Sequence, residues 1–217
     1  MHYDLASIYS QFHSPLFVPY ELYSSRKSFT MPSLPLVRYA RLEDVFLILR
    51  FIREAAEDQA PGAKVAATED SLAKTLHFGP PSESSAETGT RFAWALLIFS
   101  PDEQPAGLLI YFHNYSTWMA APGVCLEELY VVPEYRRQGY AQILIEAMAS
   151  AAEAAGCIRM DWVCLLDNKR ALKFYKKLEA KRMEDWVVLK VDKASTEKLA
   201  ARGKQSGLCP EINGTNI

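Results

Sequence analysis

The stretch 125–141, CLEELYVVPEYRRQGYA, joins a hydrophobic strand to a turn that offers bare backbone amides. Leu126, Leu129, Tyr130, Val131 and Val132 are apolar and β-prone, Pro133 ends the run, and Arg136 to Ala141 spell RxxGxA directly before a helical pattern. A helix N-terminus carries unpaired N–H groups and the positive end of the helix dipole. Gly139 and Ala141 keep side chains away from it, so a pyrophosphate can rest on the backbone, with Arg136 and Arg137 adding charge. RxxGxA alone also fits an ordinary strand-to-helix loop with solvated arginines, and the surrounding elements decide between the two.

Those elements read in a definite order. Leu36 to Tyr39 is a short strand, and a helix starting near Asp44 carries Val45, Leu47, Ile48, Phe51 and Ile52 at near-helical spacing. Thr68, followed by Glu69, Asp70 and Ser71, resembles the N-cap of a shorter helix supplied by Leu72, Leu76 and Phe78. The Pro-, Ser- and Glu-rich stretch 79–89 reads as an exposed loop. Three strands, 92–99, 107–112 and 124–132, then form an antiparallel meander. A long helix follows over 138–155, with Ile143, Leu144, Ala147 and Met148 as its apolar stripe and Gly156 at its end. A strand over 159–165, a helix over 168–178 and a last strand over 186–191 complete the pattern.

The bulk properties narrow the chemistry. At 217 residues, 49% hydrophobic, the chain builds one good core, so 34–192 reads as one domain between an unstructured extension, 1–33, and an unstructured tail, 193–217. A net charge of −2 without blocks of like charge points to neither nucleic acid nor an anionic membrane. Cys125, Cys157, Cys164 and Cys209 show no CxxC spacing and no partnered histidines, so neither a metal site nor a disulfide framework is expected and a reducing, cytoplasmic compartment fits. No apolar run approaches the roughly 20 residues that span a bilayer. Asp4 and Glu21 argue against a transit peptide at the start.

The order β, α, α, β, β, β, α, β, α, β, with RxxGxA opening the third main helix, resembles the GNAT acyl-CoA N-acetyltransferase superfamily over residues 36–192. LEELYVVPEYRRQGYA, MDWVCLLDN, ALKFYKKLEA and a closing Trp186 resemble its diamine acetyltransferase branch, which includes spermidine/spermine and thialysine acetyltransferases. The resemblance implies an α/β fold with a central mixed, mostly antiparallel sheet flanked by helices, acetyl-CoA as co-substrate, and a homodimer formed through strands and the C-terminal segment. It places the pantetheine arm along Leu129, Tyr130 and Val131, and the phosphates at Arg136, Arg137, Gln138, Gly139, Tyr140, Ala141 and Gln142. Asn168 and Ala171 would steady the CoA arm, and an Asx turn or helix N-cap is an equally natural reading of Asn168.

Tyr175 resembles the family's proton donor to the departing thiolate. Amine attack on a thioester expels a thiolate of pKa roughly 9 to 10, close to tyrosine at about 10, so this transfer is nearly balanced. An alkylammonium must lose a proton before it attacks, and a carboxylate is the natural acceptor. Alternation sends Glu127 and Glu128 to opposite faces of the strand, and the resemblance makes Glu127 the catalytic and substrate-facing one. It also puts Asp58, Asp161, Trp162 and Glu184 on the substrate side, an acidic set suited to a polyamine or basic amino-acid side chain. Tyr115 and Trp118 either wall the amine tunnel or belong to a core or dimer interface.

Two departures stand out. Glu179 replaces the glycine usual after the tyrosine helix, so that helix end is expected to be built differently, and Ala141 replaces the second glycine of the phosphate turn. Besides small-amine acetylation, the same motifs fit a protein or peptide acetyltransferase, or a regulatory acyl-CoA-binding module without turnover.

Overall fold

The computed structural model describes residues 34–81 and 90–206. The expected extension 1–33, most of the loop expected at 79–89, and the end of the tail lie outside the described residues. A six-stranded sheet runs in the order β1 (Leu36–Tyr39), β3 (Ala93–Phe99), β4 (Pro105–Ser116), β5 (Ala121–Val131), β6 (Met160–Trp162), with β2 (Leu76–His77) parallel on β3. β1, β3, β4 and β5 pair antiparallel and β5–β6 pairs parallel. This is the mixed, mostly antiparallel sheet expected.

Two faces of the sheet bury two clusters. On one, α1 (Val45–Gln59) and α2 (Glu69–Thr75) set Ile48, Phe51 and Leu72 against Leu97, Leu108 and Tyr130. On the other, α3 (Tyr140–Ala154) packs Leu144, Ile145 and Met148 on Leu96, Leu109, Val124 and Val131. Truncating a fully buried side chain such as Phe51 or Leu144 costs about 2–5 kcal/mol, because the cavity refills only in part. The Thr68 side chain accepts from the Ser71 amide at 3.1 Å, giving the N-cap read from the sequence. α1 starts just after Asp44, as read from the sequence; the Asp44 carboxylate accepts from Arg38 Nη1 and Nη2 (2.6 and 2.9 Å) and from the Arg41 amide (2.7 Å).

Two expectations are corrected at the C-terminal end. Residues 186–191 form no strand. Trp186 is 69% exposed and Leu189 88%, because β propensity is realised by packing on a neighbouring strand and none comes alongside. The tail read as unstructured instead forms α5 (Lys193–Gln205), with Asp192 capping it by accepting from the Ser195 amide at 2.7 Å.

α4 (Lys169–Lys177) also ends differently from expectation. Glu179 takes the left-handed conformation itself, φ 61°, so the glycine-type terminus is kept without glycine. The Ala180 amide reaches the Tyr175 carbonyl and the Glu179 amide reaches the Lys176 carbonyl, both at 3.2 Å, which is the Schellman pattern.

Candidate active site

The site begins with an irregularity in β5. Ile110 stands opposite Glu128 but Tyr111 stands opposite Leu126, so Glu127 is an extra residue on the strand. A bulge resets the alternation: Leu126 and Leu129 now share the α3 face, while Glu128 lies with Tyr130 on the α1 face. Glu127 is exposed, and Glu128 is half-buried, within 3.5 Å of the Gln59 side chain at the end of α1.

The same place marks the parting of β5 and β6. Their pairing runs from Val124 and Met160 to Leu126 and Trp162 and stops there. Beyond it the β5 edge is open, and the Leu129 amide, with no β6 residue to bond, donates to the Glu128 carboxylate at 3.2 Å. An open strand edge of unpaired amides is what an extended amide-bearing arm can bind as an added strand.

Tyr175 closes the other side of the gap. Its ring lies 5.0 Å from Trp162 and 5.3 Å from Phe174, half-buried. Burial pushes its hydroxyl up to about 12, with the charges of Cys164 and Glu128 adding to the rise. The near balance expected for its proton therefore holds only for a thiolate that the same dry surroundings make more basic. Burial also raises the Glu128 carboxyl above the usual range. The Leu129 amide pulls it back, the Glu127 charge raises it, and Gln59 lowers it.

Below the gap lies the turn into α3. Arg137 and Gly139 both adopt left-handed conformations, φ 66° and 87°, which turns successive amides to one side. Gly139 is the N-cap, a Cβ added there would meet nothing within 4 Å, and the first-turn amides of Tyr140, Ala141 and Gln142 are those a helix leaves without an intrahelical partner. The Gln138 and Gln142 side chains are engaged elsewhere, with the Glu134 carbonyl and the Glu146 carboxylate, and Tyr140 is buried against Tyr135. What the turn offers an anion is backbone, together with exposed Arg137.

Arg136 folds back on the strand. Its Nε donates to the Val131 carbonyl at 2.8 Å and its Nη2 to Asp58 at 2.7 Å, while Arg170 reaches the same Asp58 oxygen at 3.4 Å. Asp58 thus sits between the turn into α3 and α4, paired with two guanidiniums. Asn168 caps α4 by accepting from the Ala171 amide at 3.0 Å, the N-cap reading of that residue. Asp161 accepts from Asn114 (2.9 and 3.1 Å) and pairs with Arg159 at 3.1 Å. Glu184 lies on the exposed stretch after α4, paired with Arg182 at 3.1 Å. Trp118, 91% exposed, and Tyr115 stand at the tip of the β4–β5 hairpin.

The structure places Trp162 and Tyr175 beside the gap where β5 leaves β6, with Leu129 and Val131 on the β5 side and Glu127 exposed on the bulge; the turn 136–141 follows β5. The sequence offered Glu127 and Glu128 together and the resemblance favoured Glu127; Gln59, beside Glu128, was not singled out. A bulge leaves no mark on a two-residue period, and Gln59 joins only because α1 ends over β5. Among the described residues no group of His, Cys, Asp and Glu is arranged to hold a metal ion, and no helix is long and apolar enough to cross a membrane. Cys125, Cys157 and Cys164 are free thiols.

Comparison with known proteins agrees with this geometry. Residues 52–179 match the acetyltransferase (GNAT) family model. A thialysine N-epsilon-acetyltransferase of Mus musculus is 31% identical over 173 residues, covering 76% of this chain and 97% of its own. One of Caenorhabditis elegans is 29% identical over 156 residues, covering 70% and 89%. Among solved structures, an integron cassette protein of V. cholerae superposes with a TM-score of 0.59 at 19% identity, over 76% of this chain and 97% of that one. An aminoglycoside acetyltransferase from an uncultured soil metagenomic sample gives 0.57 at 14% identity, over 73% and 96%; likeness at these identities shows the fold alone. With the open β5 edge, the glycine-capped turn and the matched family model in one chain, this protein belongs to the acetyltransferase (GNAT) family, whose members use acetyl-CoA, and is an enzyme that transfers acetyl groups.

Proposed function

We propose that the enzyme transfers the acetyl group of acetyl-CoA to a primary amine of a small polyamine or basic amino-acid-like molecule, by direct attack and without an acyl-enzyme. The observation that carries the reading is the gap between β5 and β6, with Tyr175 on one side and the Glu127–Glu128 pair on the other. The thialysine acetyltransferase relatives support an amine of this kind.

In this reading the pantetheine arm lies along Leu129, Tyr130 and Val131, and the phosphates rest on the amides from Arg137 to Gln142. Asn168 and Ala171 flank the arm from the start of α4. Backbone N–H groups at the open edge polarise the thioester carbonyl. The carboxylate pair takes the ammonium proton, and Tyr175, held protonated by burial, returns one to the thiolate. Asp161 and Trp162 border the amine side. Asp58 and Glu184, bound to arginines in this state, reach the amine only by exchanging those partners.

The working form in this reading is a cytoplasmic homodimer. The dimer is supported by the exposed apolar run Trp186, Val187, Val188, Leu189 and Val191 together with the outer edge of β6, which has no partner among the described residues, an apolar segment and a strand edge that a second copy can cover. Light scattering reads the mass directly.

The test is thiol release from acetyl-CoA with spermidine, putrescine, lysine, thialysine, ornithine and a histone-tail peptide, in wild type and Tyr175→Phe. Saturable turnover with one small amine, cut about 100-fold by Tyr175→Phe at unchanged CoA affinity, is the expected result. Turnover with the peptide alone, or full activity in Tyr175→Phe, overturns it.

A further inference from the structure

We infer that Glu128, and not Glu127, is the proton acceptor for the amine, and that it is held out of use on the Leu129 amide until the acetyl group of acetyl-CoA takes that amide. The inference rests on the amine-acetylation reading above and deepens it.

Three observations carry it. First, the bulge at Glu127 turns Glu128 to the α1 face, where it is half-buried beside Gln59, while Glu127 stays exposed. A general base works best where water does not compete for it and where its basicity is raised towards the working pH. Second, Glu128 shares its surroundings with Tyr175, whose hydroxyl is raised partly by the Glu128 charge. The charge of the one therefore reaches the proton of the other across the gap where β5 and β6 part.

Third, the Glu128 carboxylate accepts from the Leu129 amide, on the strand edge that β6 leaves open. That is an edge amide a thioester carbonyl needs. An acyl group that takes it displaces the carboxylate, and the displaced carboxylate loses the bond that lowers its pKa, so arrival of acetyl-CoA makes the base stronger. The charge acting on Glu128 is that of Glu127 on the same strand, which raises it further; α1 contributes the uncharged Gln59, and Glu128 in turn raises Tyr175 of α4. Before acetyl-CoA binds, the same contact keeps the carboxylate occupied.

The balance is simple. The ammonium gives one proton to Glu128, and the freed nitrogen lone pair forms the C–N bond to the acetyl carbon. The C–S bond breaks with its electron pair on sulfur, and sulfur takes the Tyr175 proton. The second nitrogen proton returns through solvent to Tyr175, and Glu128 releases its proton to water, so one proton leaves per turnover.

The experiment compares wild type, Glu128→Gln, Glu128→Ala, Glu128→Asp and Glu127→Gln on the best amine of the panel. Glu128→Gln is expected to lower kcat/KM about 100-fold or more and to remove the acid limb of its pH profile, with partial recovery in Glu128→Asp. Glu127→Gln, which takes a charge from the mouth of the gap, is expected to raise the amine KM several-fold and keep the acid limb. Calorimetric titration with acetyl-CoA is expected to show Glu128→Ala binding at least as tightly as wild type, because the competitor for the Leu129 amide is gone. An active wild type with an unimpaired Glu128→Gln, an acid limb lost in Glu127→Gln instead, or weakened acetyl-CoA binding in Glu128→Ala would each overturn the inference while leaving amine acetylation standing. A wild type silent with every amine overturns that reading and the inference with it.

Discussion

Replacing Glu179 by glycine should stabilise the protein. Glu179 is exposed and sits at φ 61°, where a Cβ crowds the following carbonyl. For a non-glycine residue that conformation costs about 1–2 kcal/mol. Glycine removes the strain but frees the unfolded chain, giving back about 0.5–1 kcal/mol. The difference is a gain of about 1 kcal/mol, or a Tm rise of about 2–4 °C in a chain of this size. The consequence reaches the site, because the Ala180 amide that follows bonds the Tyr175 carbonyl. Glu179→Val, a β-branched residue forced into the same conformation, should lower Tm and loosen the end of α4 that carries Tyr175. Thermal unfolding followed by circular dichroism reads all three proteins. A Tm for Glu179→Gly equal to or below wild type would refute the reasoning, showing that Glu179 carries no strain or makes a compensating contact.

Gly139→Ala is strained at φ 87°, so the turn that sets the first amides of α3 should shift and CoA affinity measured by calorimetry should fall about tenfold or more. Asp58→Asn unpairs Arg136 and Arg170; both Asp58 and Arg170 are well exposed, so the stability loss should stay under about 1 kcal/mol, and the KM for acetyl-CoA should change more than that for the amine. Asp44 gives a pH signature: burial alone would raise its pKa, but the Arg38 and Arg41 bonds outweigh this and hold it low. Its contribution is complete above the unfolded value of about 3.9 and is lost as pH falls through the lower folded value, a loss that Asp44→Asn should abolish in acid melts. His113, lowered by burial beside Trp94, contributes stability that is complete above about 6.5 and is lost as pH falls further, so His113→Phe should flatten the melting curve between about pH 6.5 and 5.

Local signals carried far in this chain. The apolar spacing of α1, the Thr68 cap of α2, the meander of β3, β4 and β5, and the turn RxxGxA all depend on neighbours a few residues away, and the structure has them where the spacing put them. The elements that carry Tyr175, Trp162 and Leu129–Val131 follow from the same local signals, while the roles proposed for these residues come from the resemblance of the short motifs that hold them.

Other features were decided by contacts between distant parts. Which of two adjacent glutamates turns inward depends on a bulge set by the register of β5 against β4, which no periodicity records. Asp58 reads as a free acid until the end of α1 meets Arg136 and Arg170, residues 78 and 112 positions along the chain. The run 186–191 has strand composition but no strand beside it, and composition cannot supply a partner. Sequence therefore determined the elements and the turn that can hold phosphate, because those follow from local backbone and side-chain preference. Tertiary structure decided which carboxylate is half-buried, which is paired and which strand edge is open, because burial and ion pairing are properties of what folds against what.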